Sequence, residues 1–177
     1  MVTKRYVKDY KFSETLAENG RIRTEAVYTG SYYRLTSPER AKAGAVRFFR
    51  AFAALWALFV GAMIPESAAS RTLYVFFPYA FLAIPLWRVS ASLWVLRRAG
   101  ERMIRSEAEK ISPRLSQTAR SGAVVSGAVL ASLAVMVLAS PGRVQVSDLL
   151  FAVADGACFA GFLLLCRRGA DFSVEEI

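Results

Sequence analysis

Two charged residues interrupt long apolar blocks, and they are the residues of this sequence best placed to do chemistry. Arg88 is the only charge in residues 72–96, and Asp155 is the only charge in residues 149–166. A charge among apolar side chains is costly and requires a partner or water. At about 1.5 Å of rise per helical residue, the two lie at depths that differ by roughly 5 Å. We therefore predict an Arg88–Asp155 ion pair between two helices, with a structural role favoured over an ion or proton site.

Other chemistry has little support in the sequence. The chain has no His and two Cys, so the commonest general base and metal ligand is absent and a zinc site cannot be built from cysteines alone. Neither a phosphate-binding loop, nor a dinucleotide glycine pattern, nor a serine-nucleophile motif occurs. We therefore predict no catalytic residue, no metal, no cofactor and no enzymatic activity.

Four apolar blocks dominate the rest of the chain, which is 55% hydrophobic. They cover residues 44–64, 72–96, 122–140 and 149–166, lengths typical of helices that cross a membrane. A soluble helical bundle is the alternative, but a buried soluble helix usually keeps a polar stripe, and the third block has none. The sequence predicts an all-α integral membrane protein with four transmembrane helices.

The distribution of charge predicts an orientation. Residues 1–50 hold eleven Lys and Arg and residues 97–120 hold seven, whereas the links 65–71 and 141–148 hold one each. The positive-inside rule then places both termini in the cytoplasm, at a plasma or inner membrane. The basic ends would lie against anionic lipid headgroups, and ordinary positive-inside charge is favoured over recognition of a particular lipid.

Two Ser-Pro pairs, at residues 37–38 and 112–113, have the residues typical of a helix start. Each precedes two apolar blocks, which raises the alternative of two tandem helical hairpins. The link 97–112 has the apolar spacing of a helix. Small residues at every fourth position, including Gly127 and Gly156, predict that the third and fourth helices pack closely.

Two prolines in the second block, Pro78 and Pro85, predict a bent helix. Each removes a backbone N–H and disfavours a straight helix. Bends of this kind can act as hinges in transporters. A fixed packing feature is the favoured interpretation, and the hinge stays a candidate.

The polar N-terminus predicts a β-hairpin. Asn19-Gly20 is a strong turn signal. A register that segregates apolar from polar side chains pairs Leu16 with Ile22, Phe12 with Ala26 and Tyr10 with Tyr28. The candidate partner-binding residues are those of the apolar face: Tyr10, Phe12, Leu16, Ile22 and Tyr28. Residues 32–35 either continue as a third strand or return to the membrane surface.

These elements divide the chain into a cytoplasmic hairpin module (1–36), a four-helix transmembrane domain (37–171) and a cytoplasmic tail (172–177). The predicted function is that of a noncatalytic accessory, scaffold or assembly subunit, with a protein partner or a second copy bound at its cytoplasmic face. The alternative is a small transporter or channel component that uses Arg88 and Asp155. Acidic residues interleave with the basic ones of the hairpin, so nucleic acid is not an expected partner.

Overall fold

The computed structural model describes residues 4–16, 22–100, 102–111, 113–168 and 172–177, most of which are helical. The described helices are α1 (Pro38–Gly61), α2 (Ala68–Arg71), α3 (Leu73–Phe81), α4 (Ala83–Arg98), α5 (Arg105–Ile111), α6 (Pro113–Ala139) and α7 (Val146–Arg167). A short 3-10 segment, Lys4–Asp9, precedes the first strand.

Four helical stretches are long and apolar enough to cross a membrane, as predicted. They are α1, the α3–α4 pair, the long run that ends with α6, and α7. Two of them extend well beyond the predicted apolar blocks, because α1 already begins at Pro38 and α6 at Pro113. Both starts coincide with the Ser-Pro signals, so the helices continue through the basic segments that precede their apolar parts.

The N-terminal hairpin has the predicted register. Strands β1 (Tyr10–Leu16) and β2 (Ile22–Tyr28) pair antiparallel, with Tyr10 opposite Tyr28, Phe12 opposite Ala26 and Leu16 opposite Ile22. The Asn19-Gly20 turn lies outside the described residues.

A second sheet joins three distant parts of the chain. Strand β3 (Tyr32–Leu35) lies between β4 (Met103–Ile104) and β5 (Val174–Glu176). The possible third strand therefore forms, but outside the hairpin, in a separate sheet. The prediction of a helical link over 97–112 is wrong in its first half, because Met103 and Ile104 pair with β3 before α5 begins.

The second sheet is anchored on the helices by apolar side chains. Leu35, Met103 and Phe172 are almost completely buried. The ring of Phe172 packs on α1, with its centroid 6.1 Å from that of Phe48. We call this end of the bundle the sheet end, and the opposite end, where α2 lies, the loop end.

The helix of the second apolar block is interrupted between its two prolines. Helix α3 contains Pro78, α4 contains Pro85, and the junction falls at the buried Leu82. Without N–H groups, the prolines leave two carbonyls of this helix without their usual partners. The Leu82 N–H turns back to the Tyr79 carbonyl at 3.0 Å, which tightens the chain there. The interruption lies where the sequence predicts a bend, and both the bend and its use as a hinge stay predictions.

The bundle has a square arrangement. Helix α6 packs most extensively against α7, α4 packs against α1 and α6, and α1 also packs against α7. In this arrangement α4 and α7 stand diagonally opposite each other. At its centre, the ring of Tyr79 stacks on Phe59 at 4.8 Å and contacts Phe151 at 4.6 Å. The Tyr79 hydroxyl donates to the Phe59 carbonyl at 2.9 Å, a free acceptor near the end of α1.

A buried carboxylate holds the loop end together. Asp148, on α7, accepts hydrogen bonds from the backbone N–H of Ala69 at 2.8 Å and of Gln145 at 2.7 Å. The first of these bonds fixes the link between α1 and α3 to the start of α7. Charge-assisted hydrogen bonds of this kind are among the stronger ones in proteins.

The tightest contact between a glycine of α6 and a side chain of α7, among the described residues, is at Gly122. A Cβ placed on Gly122 would lie 2.5 to 2.6 Å from three ring atoms of the buried Phe162. Gly156, which also lies in the bundle, has open space where its Cβ would be. The predicted pairing of α6 with α7 is therefore present, but its tight contact is at Gly122 and not at the predicted Gly156.

These two glycines give a matched test. Gly122→Ala should destabilise the fold by about 1–3 kcal/mol, because the helices must separate to admit the methyl group. Gly156→Ala should be neutral or stabilising by up to about 1 kcal/mol, since alanine favours a helix over glycine. The measurement is reversible unfolding of each purified variant in mild detergent. Equal effects at the two positions would contradict the close contact.

Candidate functional site

The β1–β2 hairpin is open on both faces at the two residue pairs next to its Tyr10–Tyr28 end. Phe12 is 54% exposed and Val27 is 52% exposed. They point to opposite faces, because Phe12 pairs with Ala26 whereas Val27 pairs with Lys11. Ala26 and Lys11 are also exposed. We call these four residues the hairpin blade.

The base of the hairpin, in contrast, is fixed. The Tyr28 hydroxyl donates to the Ser31 carbonyl at 2.8 Å and accepts from the Arg105 N–H at 3.1 Å. The ring of Tyr28 lies edge-on to Tyr10 at 5.1 Å and to Tyr32 at 5.3 Å. The Arg105 guanidinium also lies 4.0 Å from the Asp9 carboxylate. Tyr10 and Tyr28 therefore serve the hairpin's own anchorage, while Phe12 is free.

The remaining two predicted hairpin residues lie farther along the same ladder. Leu16 pairs with Ile22 at the end away from Tyr28. No other described strand pairs with the outer side of β1 or β2, so within the described part of the chain each presents backbone N–H and C=O groups along an open edge.

Asp155 lies at the centre of the bundle and is completely buried. The Ser126 hydroxyl, on α6, lies 2.7 Å from the Oδ1 atom of Asp155 and 3.1 Å from the backbone carbonyl oxygen of Asp155. Its Oδ2 is buried and has no hydrogen-bond partner among the described residues. The Asp155 side chain thus links α7 to α6, with half of its acceptor capacity unused.

The predicted Arg88–Asp155 ion pair is wrong. Arg88 is exposed, and no described residue forms an ion pair with it. Similar depth along two helices brings two side chains together only if the helices are neighbours in the bundle. Because α4 and α7 are diagonal, Asp155 meets α6, and Arg88 faces outward from α4.

Arg88 instead lines a cleft at the sheet end. The cleft has a volume of about 710 Å³ and lies between α4 and the α5–α6 segment. Three of its lining residues are cations, four carry a hydroxyl or amide, and three are apolar. The cations are Arg88, Lys110 and Arg114. The residues with a hydroxyl or amide are Ser92, Gln117, Thr118 and Ser121, and the apolar residues are Trp87, Ala91 and Val95.

The cleft brings together residues that sequence reasoning did not single out. Arg114, Gln117, Thr118 and Ser121 occupy one face of α6, as their spacing of three and four requires. That spacing is visible in the sequence and could have predicted a polar face. Its position opposite Arg88, however, depends on the packing of α4 against α6.

Comparisons of this chain with protein families, with curated proteins and with solved structures find no match. Its chemistry is therefore inferred from its own residues. Among the described residues there is no group of three or more side chains suited to hold a metal ion. None of the residues that line the cleft is a carboxylate, so the lining offers hydrogen-bond donors and positive charge.

The geometry predicts that Arg88 and Asp155 act independently. If the effects of Arg88→Leu and Asp155→Leu on the free energy of unfolding are measured separately and together, they should add within about 0.5 kcal/mol, as for distant sites without a shared partner. A double variant that is markedly more stable than the sum of the two single effects would instead support an ion pair between Arg88 and Asp155.

Proposed function

We propose that this protein is an integral membrane protein whose sheet end and two termini face the cytoplasm. The support is the outward distribution of apolar side chains: in each of the four long helices, fewer than half of the residues in the most apolar window are buried. Phe77, Phe81 and Leu138, for example, are more than half exposed. Exposed apolar area on all sides of a bundle is expected where lipid is the solvent. The orientation is supported by the concentration of Lys and Arg at the sheet end.

Within that membrane, we propose the role of a noncatalytic accessory subunit that binds a protein partner through the hairpin blade. The observation that carries this proposal is a hairpin with a fixed base and an open blade. An isolated two-stranded hairpin is marginally stable in water. This one keeps an exposed Phe and an exposed Val on opposite faces, and no other strand that the structure describes pairs with either of its edges.

Such a blade suits the addition of a strand from another chain. In that mode, backbone hydrogen bonds supply affinity, and side chains that alternate between the two faces supply specificity. Phe12 and Val27 would then each contact a different face of the complex. A second copy of this chain offers the same free edge, so a homo-oligomer is the other form that this interaction can take.

The test is a pull-down of the full chain from cells that produce it naturally, in mild detergent. Phe12→Ser should reduce the amount of the recovered partner at least about tenfold, since an aromatic anchor in an interface is commonly worth about 2 kcal/mol or more. Val7→Ser is the matched control, because Val7 is exposed at 42% and lies in the 3-10 segment outside the blade.

Equal recovery with both variants would contradict a role for the blade. A wild-type chain that is recovered alone and monomeric would contradict the accessory role altogether. If only further copies of this chain are recovered, and the Phe12→Ser variant no longer recovers them, the blade would be assigned to a homo-oligomer.

A second candidate function is that of a small transport component. It is favoured by one observation, the buried Asp155 carboxylate with an unpartnered oxygen at the centre of the bundle. Ionisable residues at such depth are costly and commonly mark a path for protons or ions. The single carboxylate is the reason for ranking this function second, since proton relays usually require several titratable groups.

Asp155→Asn separates the two functions. The amide keeps an oxygen that can accept from Ser126, so the fold should remain at least as stable, while the charge is lost. If the chain transports a proton or cation, flux into proteoliposomes driven by a pH or ion gradient should fall at least about tenfold, as expected when an essential charge is removed. Ser132→Ala is the control, because the Ser132 hydroxyl donates to the Ala128 carbonyl of its own helix. A wild-type chain with no flux above that of empty vesicles would contradict transport.

A further inference from the structure

We infer that the cleft between α4 and the α5–α6 segment binds the phosphate headgroup of an anionic phospholipid. The first argument is the charge. Arg88, Lys110 and Arg114 line one cavity without a carboxylate among its lining residues. None of the three is in an ion pair with any residue that the structure describes. Three cations in one cavity repel each other, and an anion between them removes that repulsion.

The second argument is the kind of donor. Arginine offers a planar fork that matches phosphate oxygens, and lysine offers a compact charge with three donors. The cleft adds the hydroxyls of Ser92, Thr118 and Ser121 and the amide of Gln117. This combination of charge-assisted and neutral donors suits a phosphate group with several oxygens, more than it suits a single carboxylate.

The third argument is size and shape. A volume of about 710 Å³ falls in the range of pockets that hold drug-sized molecules. Along α4 the cleft extends from Trp87 to Val95, which is about 12 Å of helix. The space therefore suits a headgroup with its glycerol, and a lone inorganic phosphate would leave most of it to water.

The fourth argument is position. The charge-free part of α6 begins at Gly122, directly after Ser121 at the inner end of the cleft. Trp87 is 70% exposed at the same level, and exposed tryptophans are typical of the boundary between headgroups and acyl chains. The phosphates of the cytoplasmic leaflet would lie at this height. Basic pockets between membrane helices are known to bind anionic headgroups on that side.

This inference rests on the proposed membrane insertion and is independent of the hairpin partner. It also goes beyond the ordinary positive-inside charge that the sequence favours. Diffuse charge would be spread over every basic residue of the sheet end, whereas a built site concentrates binding in three of them. The two descriptions predict different effects for different lysines and arginines.

The test is native mass spectrometry of the full chain in nonionic detergent, titrated with phosphatidylglycerol, with phosphatidylcholine and with inorganic phosphate. We expect one phosphatidylglycerol per chain, bound at least about tenfold more tightly than phosphatidylcholine. The cleft variant Arg88→Gln/Lys110→Gln/Arg114→Gln should lose about a hundredfold in affinity, since each cation near the headgroup contributes about fivefold. The single variant Arg114→Gln should lose about fivefold on the same scale.

The matched control is Arg40→Gln/Lys42→Gln/Arg47→Gln, which removes three exposed cations from α1, at the same end but away from the cleft. Its affinity for phosphatidylglycerol should stay within about threefold of the wild type, because its charges are solvent-screened. Circular dichroism of each variant gives the helical content, and Arg114→Gln tests the site if the triple variant does not fold.

Equal losses in the cleft and control variants would overturn the site and leave only surface charge. Tight binding of inorganic phosphate alone, lost in the cleft variant, would assign the same cations to a soluble phosphate and overturn the lipid. Recovery of the folded chain in a detergent-free high-speed supernatant would overturn the membrane insertion itself, whatever the lipid titrations give.

Discussion

The contact between α6 and α7 is the most extensive helix contact of the bundle, and it bears directly on where Asp155 and Arg88 lie. Gly122 admits the ring of Phe162, and Ser126 reaches the Asp155 carboxylate four residues farther along the same helix. Once α7 is held there, α4 can reach α6 only from the other side, so α4 and α7 become diagonal. That arrangement commits Asp155 to a serine hydroxyl in the centre of the bundle and leaves Arg88 on an outer surface. The order of the helices thus keeps the Asp155 carboxylate apart from the Arg88 guanidinium, and the absence of a side chain at Gly122 allows the close α6–α7 contact within that order.

The second sheet has a comparable effect at the sheet end. It joins the segment before α1, the link between α4 and α5, and the end of the chain, so the starts or ends of three long helices are connected through one small structure. Leu35, Met103 and Phe172 bury its inner side on the helices. The hairpin that precedes the second sheet is held in place by the hydrogen bond between the Arg105 N–H and the Tyr28 hydroxyl. A projecting blade on a rigid base is a reasonable form for an interaction module, because less conformational freedom is lost on binding.

Features that depend on residues near each other in the sequence could be predicted, whereas features that depend on contacts between distant segments could not. The four long helices and the hairpin register depend on local composition, on turn residues and on the segregation of Phe12 and Leu16 from polar neighbours, and all were predicted. Strands β4 and β5, of two and three residues, have no periodicity of their own and exist only because β3 lies between them. The Arg88–Asp155 ion pair was predicted from the depth of each residue along its own helix. Whether the two residues meet depends instead on which helices are neighbours in the bundle. The cleft was missed for the same reason, since Arg88 is more than twenty residues from Lys110 and Arg114 in the chain.

Helix α5 is the element that the two proposed surfaces share. It is seven residues long, Arg105–Ile111, with Arg105 at its start and Lys110 near its end. Arg105 holds the base of the hairpin through its N–H and through the Asp9 carboxylate, whereas Lys110 lines the cleft. Ala108 and Ile111 are buried beneath it, so the helix is held as a unit on the bundle. The same short helix would therefore position both ligands. Its last turn, with Lys110, would position a headgroup in the cleft, and its first turn, with Arg105, would position a partner on the blade. The packing of Ala108 and Ile111 thus supports both proposed surfaces, although neither residue belongs to either one.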